Sequence, residues 1–199
     1  MGNDDIFRVI GHLPTSATKA GIESSTYCIG CGSCSFIDPA FRIVKNEDGC
    51  FQATVQNTTD GVEASHICPF ATAVDEDDIA RRLFGSVQGI RHDNNLGYYL
   101  STYVGCARQD SFREQGSSGG MISWLASTML HDHEVDAVIH VRNGADAESM
   151  YTYQISHTVE EVRDGAKSKY YPIKMSEILQ YVVEHDEKFL FIGIPCFIK

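Results

Sequence analysis

Three thiols stand at Cys28, Cys31 and Cys34 in the run Cys28-Ile29-Gly30-Cys31-Gly32-Ser33-Cys34, and a fourth follows in Cys68-Pro69. The C-x2-C-x2-C spacing puts three soft donors on one tight loop. Gly30 and Gly32 let that loop wrap closely, because glycine adopts positive φ without a steric penalty. An isolated C-x-x-C reads as a redox pair or as half of a zinc site. Three cysteines at this spacing with a remote Cys-Pro form the ligand pattern of a cubane iron–sulfur cluster. A [4Fe–4S] cluster is therefore the expectation, with zinc and metal-free thiols as the alternatives.

The loop also bears on how many clusters to expect. In two-cluster ferredoxins the run is C-x2-C-x2-C-x3-C-P, and its fourth cysteine serves the other cluster. Here Asp38 stands in that place, followed by Pro39. Seven cysteines cannot supply two full sets of four thiolates. One cluster is expected, held by Cys28, Cys31, Cys34 and Cys68, with Asp38 as a carboxylate ligand the lesser alternative. Cys50 follows a turn and reads as a small packed hydrophobe.

Three further stretches could carry chemistry. Gly116-Ser117-Ser118-Gly119-Gly120 precedes a helix-periodic segment, and free amides at a helix N-terminus suit a phosphate. A plain connection between elements is the competing reading, since the stretch matches neither G-x-G-x-x-G nor the P-loop pattern. Lys167-Ser168-Lys169-Tyr170-Tyr171-Pro172 sets two cations beside two aromatic rings, which could grip a phosphate or stack on a flat ring; a solvated turn is the alternative. Gly193-Ile194-Pro195-Cys196 puts a thiol at the end of an apolar strand, the edge where ligands bind in open α/β sheets. Cys106 has the same standing, and a buried inert thiol is the competing reading for both. His131 and His133 read as residues near a helix C-terminus.

The elements that must position these residues fall into two groups. Phe41–Val44 and 51–55 read as β-strands around Asn46-Glu47-Asp48-Gly49, whose Asp-Gly is a hairpin signal. Residues 75–85 read as a short helix, with acids in its first turn, Arg81 and Arg82 in its last, and Gly85 as its stop. Residues 25–85 thus form a compact ferredoxin-like insert, preceded by an irregular lead-in over 1–26. Residues 86–97 read as a linker. Beyond it, strand and helix alternate. Residues 98–105 are β-rich, 118–131 amphipathic helix, 135–141 strand and 150–155 half-exposed strand. Thr158-Val159-Glu160-Glu161 is a capping box opening a helix that ends at Gly165, and 176–184 is another helix. The apolar run 188–194 reads as a central strand covered on both faces. The expected fold is a ferredoxin-like iron–sulfur region (1–86) followed by an α/β flavin- or substrate-binding domain (98–199). The chain ends just after the apolar run, so a truncated domain is expected.

Bulk composition narrows the function. An apolar share of 43% and a charged share of 22% are those of a soluble globular protein. A formal net charge of −11 argues against nucleic acid or an anionic membrane as partner, because both need clustered Lys and Arg. No apolar run is long enough to span a bilayer. The N-terminal MGNDDIFRVIGH lacks the form of a signal peptide, and the cytoplasm is the expected location. A one-electron cluster joined to an α/β domain calls for a second redox group that the cluster feeds.

Taken in order, Cys28-x2-Cys31-x2-Cys34, Cys68-Pro69-Phe70, Gly116–Gly120, Ser168-Lys169-Tyr170 and Gly193-Ile194-Pro195-Cys196 resemble the coenzyme F420 hydrogenase/dehydrogenase beta-subunit family. The resemblance runs from about residue 25 to the end, and its specificity lies in the order of the motifs. It implies an iron–sulfur flavoprotein oxidoreductase that binds FAD and passes electrons between a [4Fe–4S] cluster and coenzyme F420 or another hydride carrier. It further implies Ser117, Ser118, Gly119 and Gly120 as an FAD phosphate loop, and Ser168, Lys169 and Tyr170 as flavin or substrate contacts. A redox partner protein or subunit follows from the same resemblance. Two other classes remain: a non-enzymatic iron–sulfur electron-transfer subunit, and a flavin-dependent reductase of another small molecule linked to polysaccharide biosynthesis. Members of the family continue well past the Pro-Cys motif, so part of the flavin site is expected to lie beyond this sequence.

Overall fold

The computed structural model describes residues 27–55, 67–70, 76–145 and 149–198. The expected lead-in over 1–26 lies outside them. The cysteine loop turns at Gly30 (φ 65°) and Gly32 (φ 91°) into a short helix α1 (Ser33–Ile37). At Gly30 a side chain is excluded twice over, by the positive φ and by the Phe51 backbone carbonyl 2.4 Å from where a Cβ would sit. Strands β1 (Phe41–Lys45) and β2 (Phe51–Val55) pair antiparallel, Phe41 opposite Val55 and Lys45 opposite Phe51. Asn46 makes the turn: its Oδ1 accepts the Asp48 and Cys50 amides at 3.1 and 2.9 Å, and Gly49 takes φ 76°. Cys50 is exposed there, which corrects its reading as a packed residue. The tight turn holds it on the outer end of the hairpin, beyond the reach of the core.

Helix α2 (Glu76–Phe84) carries its acids first and its arginines last, as the helix dipole favours. The segment read as a linker is instead a hairpin, β3 (Arg91–Asp93) with β4 (Gly97–Tyr99). Its turn is made by Asp93, whose Oδ1 accepts the Asn95 and Leu96 amides at 2.8 and 3.2 Å, and by Gly97 at φ 69°. The β-rich stretch over 98–105 is mostly not strand: residues 100–107 run without strand pairing, with Tyr103 and Val104 exposed.

A short helix α3 (Phe112–Gln115) leads into the Gly/Ser turn and helix α4 (Met121–His131). A three-stranded sheet follows, β5 (Ala137–Asn143), β6 (Tyr151–Ser156) and, after α5 (Val159–Asp164) and α6 (Ser176–Glu184), β7 (Phe189–Phe191). Its order is β6-β5-β7, antiparallel on the first side and parallel on the second. A last turn of helix, α7, spans Pro195–Ile198. Thr158 caps α5 as its capping box dictates. Its Oγ1 accepts the Glu161 amide at 3.2 Å, while the Glu161 carboxylate accepts the Thr158 amide at 3.2 Å.

The strand covered on both faces is β5, not the apolar run after residue 188. Val138 and Ile139 are successive residues, so they point to opposite faces of the sheet, and both are fully buried. On one side Val138 packs with Ala126, Leu130, Val135 and Val162. On the other Ile139 packs with Tyr153, Met175 and Phe197, and Ile29, Cys31 and Cys196 lie against that cluster. In the described sheet β7 is an edge strand and half-buried. A continuous apolar run fits a half-covered edge as well as a centre, so the run could not separate the two. The cysteine loop is tied to the sheet domain by the Met175 amide, which donates to the Cys31 carbonyl at 2.8 Å.

Candidate functional site

Three of the four thiols read as metal ligands gather at one small core, and Cys31, packed against the sheet cluster, lies near enough to Cys34 to act on it by charge. Cys34 is buried with Phe41 and Ala53, and Cys28 and Cys68 pack against the same cluster. The Ala53 amide donates to Cys28 Sγ at 3.4 Å, and Cys31 Sγ lies 3.6 Å from Ser33 Oγ. Burial, then the charges of Cys31, Cys28 and Cys68, push the Cys34 thiol up to about 12. Each of the other three is thus close enough to oppose its ionisation. A set of four thiolates here needs a cationic centre to neutralise it, and all-thiolate donor sets suit iron–sulfur clusters and zinc. Among the described residues no group of three or more His, Cys, Asp and Glu side chains closes on a single metal ion. The Asp38 carboxylate accepts the Ala40 amide at 2.8 Å.

The Gly/Ser turn, the Lys167–Pro172 loop and Gly193 all line one cavity of about 870 Å³. Ile29 of the cysteine loop, His140, Tyr153 and Phe197 share its wall. Two of the loops are joined directly, since the Ser168 amide donates to Ser117 Oγ at 2.7 Å. Gly120 is the N-cap of α4 at φ 71°, and a Cβ there would stand 2.3 Å from the Phe112 carbonyl oxygen. A Cβ on Gly119 would meet the Gly105 carbonyl at 2.8 Å. Close packing therefore requires glycine at both positions, whatever the cavity binds. No side chain caps α4, and its leading amides have no intrahelical acceptors.

In the second loop Lys167 holds φ 74°, a left-handed conformation that costs a non-glycine residue energy. The Lys169 ammonium closes the loop onto itself. It donates to the carbonyls of Gly165, Ala166 and Lys167 at 3.3, 2.5 and 2.9 Å. Burial, then the neighbouring Lys167, lowers its pKa. Tyr170 is 96% exposed at the cavity mouth.

His140 on β5 did not stand out in the sequence. It is 5% exposed, lines the cavity, and its Nε2 lies 2.8 Å from Ser156 Oγ. Burial, then Arg142 and Lys169, hold its pKa down to about 4, against a smaller opposite pull from Glu161. Gly165 faces the other edge of the ring: a Cβ there would stand 2.2 Å from Cε1 and 2.7 Å from Nδ1. The only sequence signal for His140 was a titratable residue inside an otherwise apolar strand, and a satisfied core histidine gives the same signal.

The depressed pKa carries a prediction. Between the ordinary 6.5 and about 4 the unfolded chain takes up a proton on His140 that the folded chain refuses. The unfolded state then binds more protons, so stability falls as pH falls through that window and is fully present above it. The gap corresponds to about 2–3 kcal/mol after allowing for partial solvent screening. His140→Phe is expected to flatten this part of the stability–pH curve, read as urea midpoints from neutral pH to the acid end of the window. An unchanged slope in the variant would assign the acid loss to other groups.

No curated protein matches the chain. Among the described residues no helix is long and apolar enough to cross a membrane. Residues 102–180 match the family described as Coenzyme F420 hydrogenase/dehydrogenase, beta subunit N-term. The matched segment carries the Gly/Ser turn, His140 and the Lys167–Pro172 loop, and ends before the Gly193 motif. Through that segment the chain is similar to the coenzyme F420 hydrogenase/dehydrogenase beta-subunit family, a likeness that points to an oxidoreductase role in electron transfer.

Proposed function

We propose that the chain is an iron–sulfur flavoprotein module. One [4Fe–4S] cluster on Cys28, Cys31, Cys34 and Cys68 exchanges electrons with FAD in the cavity, and the flavin exchanges a hydride with F420 or a similar carrier. In fold terms this is a ferredoxin-like region joined to an α/β flavin domain. One observation carries the reading: the cysteine loop forms part of the cavity's own wall. Ile29 lines the cavity, and Cys31 packs in the cluster of residues that contains Tyr153, itself a lining residue. An electron leaving the thiol set thus has a packed route to whatever the cavity holds, without crossing solvent.

The rest of the chain does what a redox cofactor needs from protein. The Gly/Ser turn and the start of α4 offer free amides to a phosphate. Tyr153, Phe197, Ile29 and Ile173 supply an apolar surface for a flat ring. Bound flavin supplies the conversion between two-electron and one-electron transfer, and the protein orients it and excludes water. A partner subunit that delivers or removes electrons completes the proposal.

Anaerobic purification followed by iron determination, flavin extraction and a visible spectrum tests this directly. About four irons and one FAD per chain are expected. Iron without flavin would reduce the chain to an electron carrier, and flavin without iron would leave the thiols another role.

A further inference from the structure

The cavity contains one buried polar group that the reading above does not use. His140 is 5% exposed, and its Nε2 is engaged by Ser156 at 2.8 Å. Ser156 Oγ also lies 3.4 Å from Arg142 Nη1, which can only donate. The serine has one hydrogen to give and, of these two partners, only His140 Nε2 can accept it. With the serine hydrogen directed at Nε2, the neutral imidazole carries its own proton on Nδ1. Among the described residues Nδ1 has no hydrogen-bond partner, although the ring sits in the cavity wall.

Two cations near this donor favour a negative ligand. Arg142 and Lys169 are near enough to act on the imidazole by charge, with Glu161 as the weaker opposing group. The Lys169 ammonium is held on three backbone carbonyls, so it contributes field rather than a free donor. Gly165 takes φ and ψ open to any residue, −81° and 2°, yet a Cβ there would collide with the Cε1–Nδ1 edge. Glycine at residue 165 lets the backbone pack this close to the ring, where any side chain would displace it.

We propose that His140 is the buried donor of an anion subsite in this cavity, its Nδ1–H binding a phosphate oxygen of a nucleotide-type cofactor together with the leading amides of α4. The inference deepens the flavin reading and rests on it for the identity of the cofactor, but not for the anion. A neutral imidazole is the suitable donor here. It binds a phosphate oxygen without adding a third full positive charge beside Arg142 and Lys169.

The test uses the full chain, purified anaerobically, and titrates FAD, riboflavin and inorganic pyrophosphate against wild type, His140→Phe and His140→Asn. Phenylalanine keeps a ring and loses both nitrogens, whereas asparagine keeps an N–H donor near the Nδ1 position. FAD affinity is expected to fall about tenfold or more in His140→Phe, as for a lost hydrogen bond to a charged group. Riboflavin affinity should hold, and His140→Asn should recover most of the FAD loss. Pyrophosphate should raise the thermal midpoint of wild type and His140→Asn but not of His140→Phe. Equal losses for FAD and riboflavin would put His140 against the ring or in the scaffold alone and overturn the subsite. A wild type that binds pyrophosphate through His140 but binds no flavin would sink the flavin reading and keep the subsite. A wild type indifferent to pyrophosphate, with FAD affinity unchanged in His140→Phe, overturns the subsite and keeps the flavin reading.

Discussion

Cys34→Ala is expected to strip the chain of iron and to unfold the β1–β2 region around it. Cys34 is one of three buried residues at the centre of that small core, with Phe41 and Ala53. So few apolar side chains cannot hold a hairpin and loop together unaided, because small cores contribute only a few kcal/mol of net stability. A bound metal centre supplies the difference, since its binding free energy acts as folding free energy. Cys28→Ala, Cys31→Ala and Cys68→Ala should behave alike in iron content. Cys31→Ala should also loosen the contact with the sheet, because Cys31 packs into the Ile139–Tyr153–Met175–Phe197 cluster. Two controls separate ligand loss from general damage. Cys50 is exposed at the hairpin turn, and Cys50→Ala should keep full iron. Cys196→Ser should keep iron as well, because Cys196 stands outside the C-x2-C-x2-C and Cys-Pro ligand pattern. Iron per chain and limited proteolysis of the hairpin are the readouts. Full iron in Cys68→Ala would remove that residue from the ligand set, and an iron loss in Cys196→Ser would add one that the cysteine spacing does not point to.

The sequence was most legible where a local rule decides the backbone. The Thr158 capping box and the Asn46–Gly49 hairpin turn rest on side chains that satisfy their own neighbours' amides, so the pattern is complete within a few residues. It was least legible where neighbours decide. The run after residue 188 looks like a central strand, yet the strand buried on both faces is β5, flanked by β6 and β7. Residues 86–97 look like a linker because their turn residues outnumber their strand residues, but Asp93 and Gly97 build a hairpin from them. Of the site, the glycine-rich turn and the lysine loop were visible as motifs. The Ser117–Ser168 hydrogen bond that joins them spans fifty-one positions and leaves no local trace. His140 and Gly165 share that invisibility: each looks ordinary alone, and only their contact gives either a role.

That contact makes the second large prediction, which concerns coupling rather than loss. Gly165 sits at the C-cap of α5 with φ −81°, so alanine there meets no backbone strain and would ordinarily stabilise by about 0.4–1 kcal/mol. The surroundings reverse the sign. The new Cβ would lie 2.2 Å from His140 Cε1 and 2.8 Å from Arg142 Cγ. The arginine stem is flexible and can yield. The imidazole cannot, since it is buried and fixed by Ser156 at its far nitrogen. Gly165→Ala is therefore expected to destabilise by about 3 kcal/mol, the upper end for overpacking in a closed site. It should also weaken FAD binding, because the ring can move only by breaking its Ser156 bond or by entering the cavity. In a His140→Ala background the same substitution fills vacated space and should cost nearly nothing or stabilise. The coupling energy of the cycle is then about 2–3 kcal/mol, far above what independent sites show. Urea unfolding of wild type, both single variants and the double variant measures it. Additive losses would mean that Gly165 and His140 do not press on each other, and that the glycine at residue 165 has a different cause.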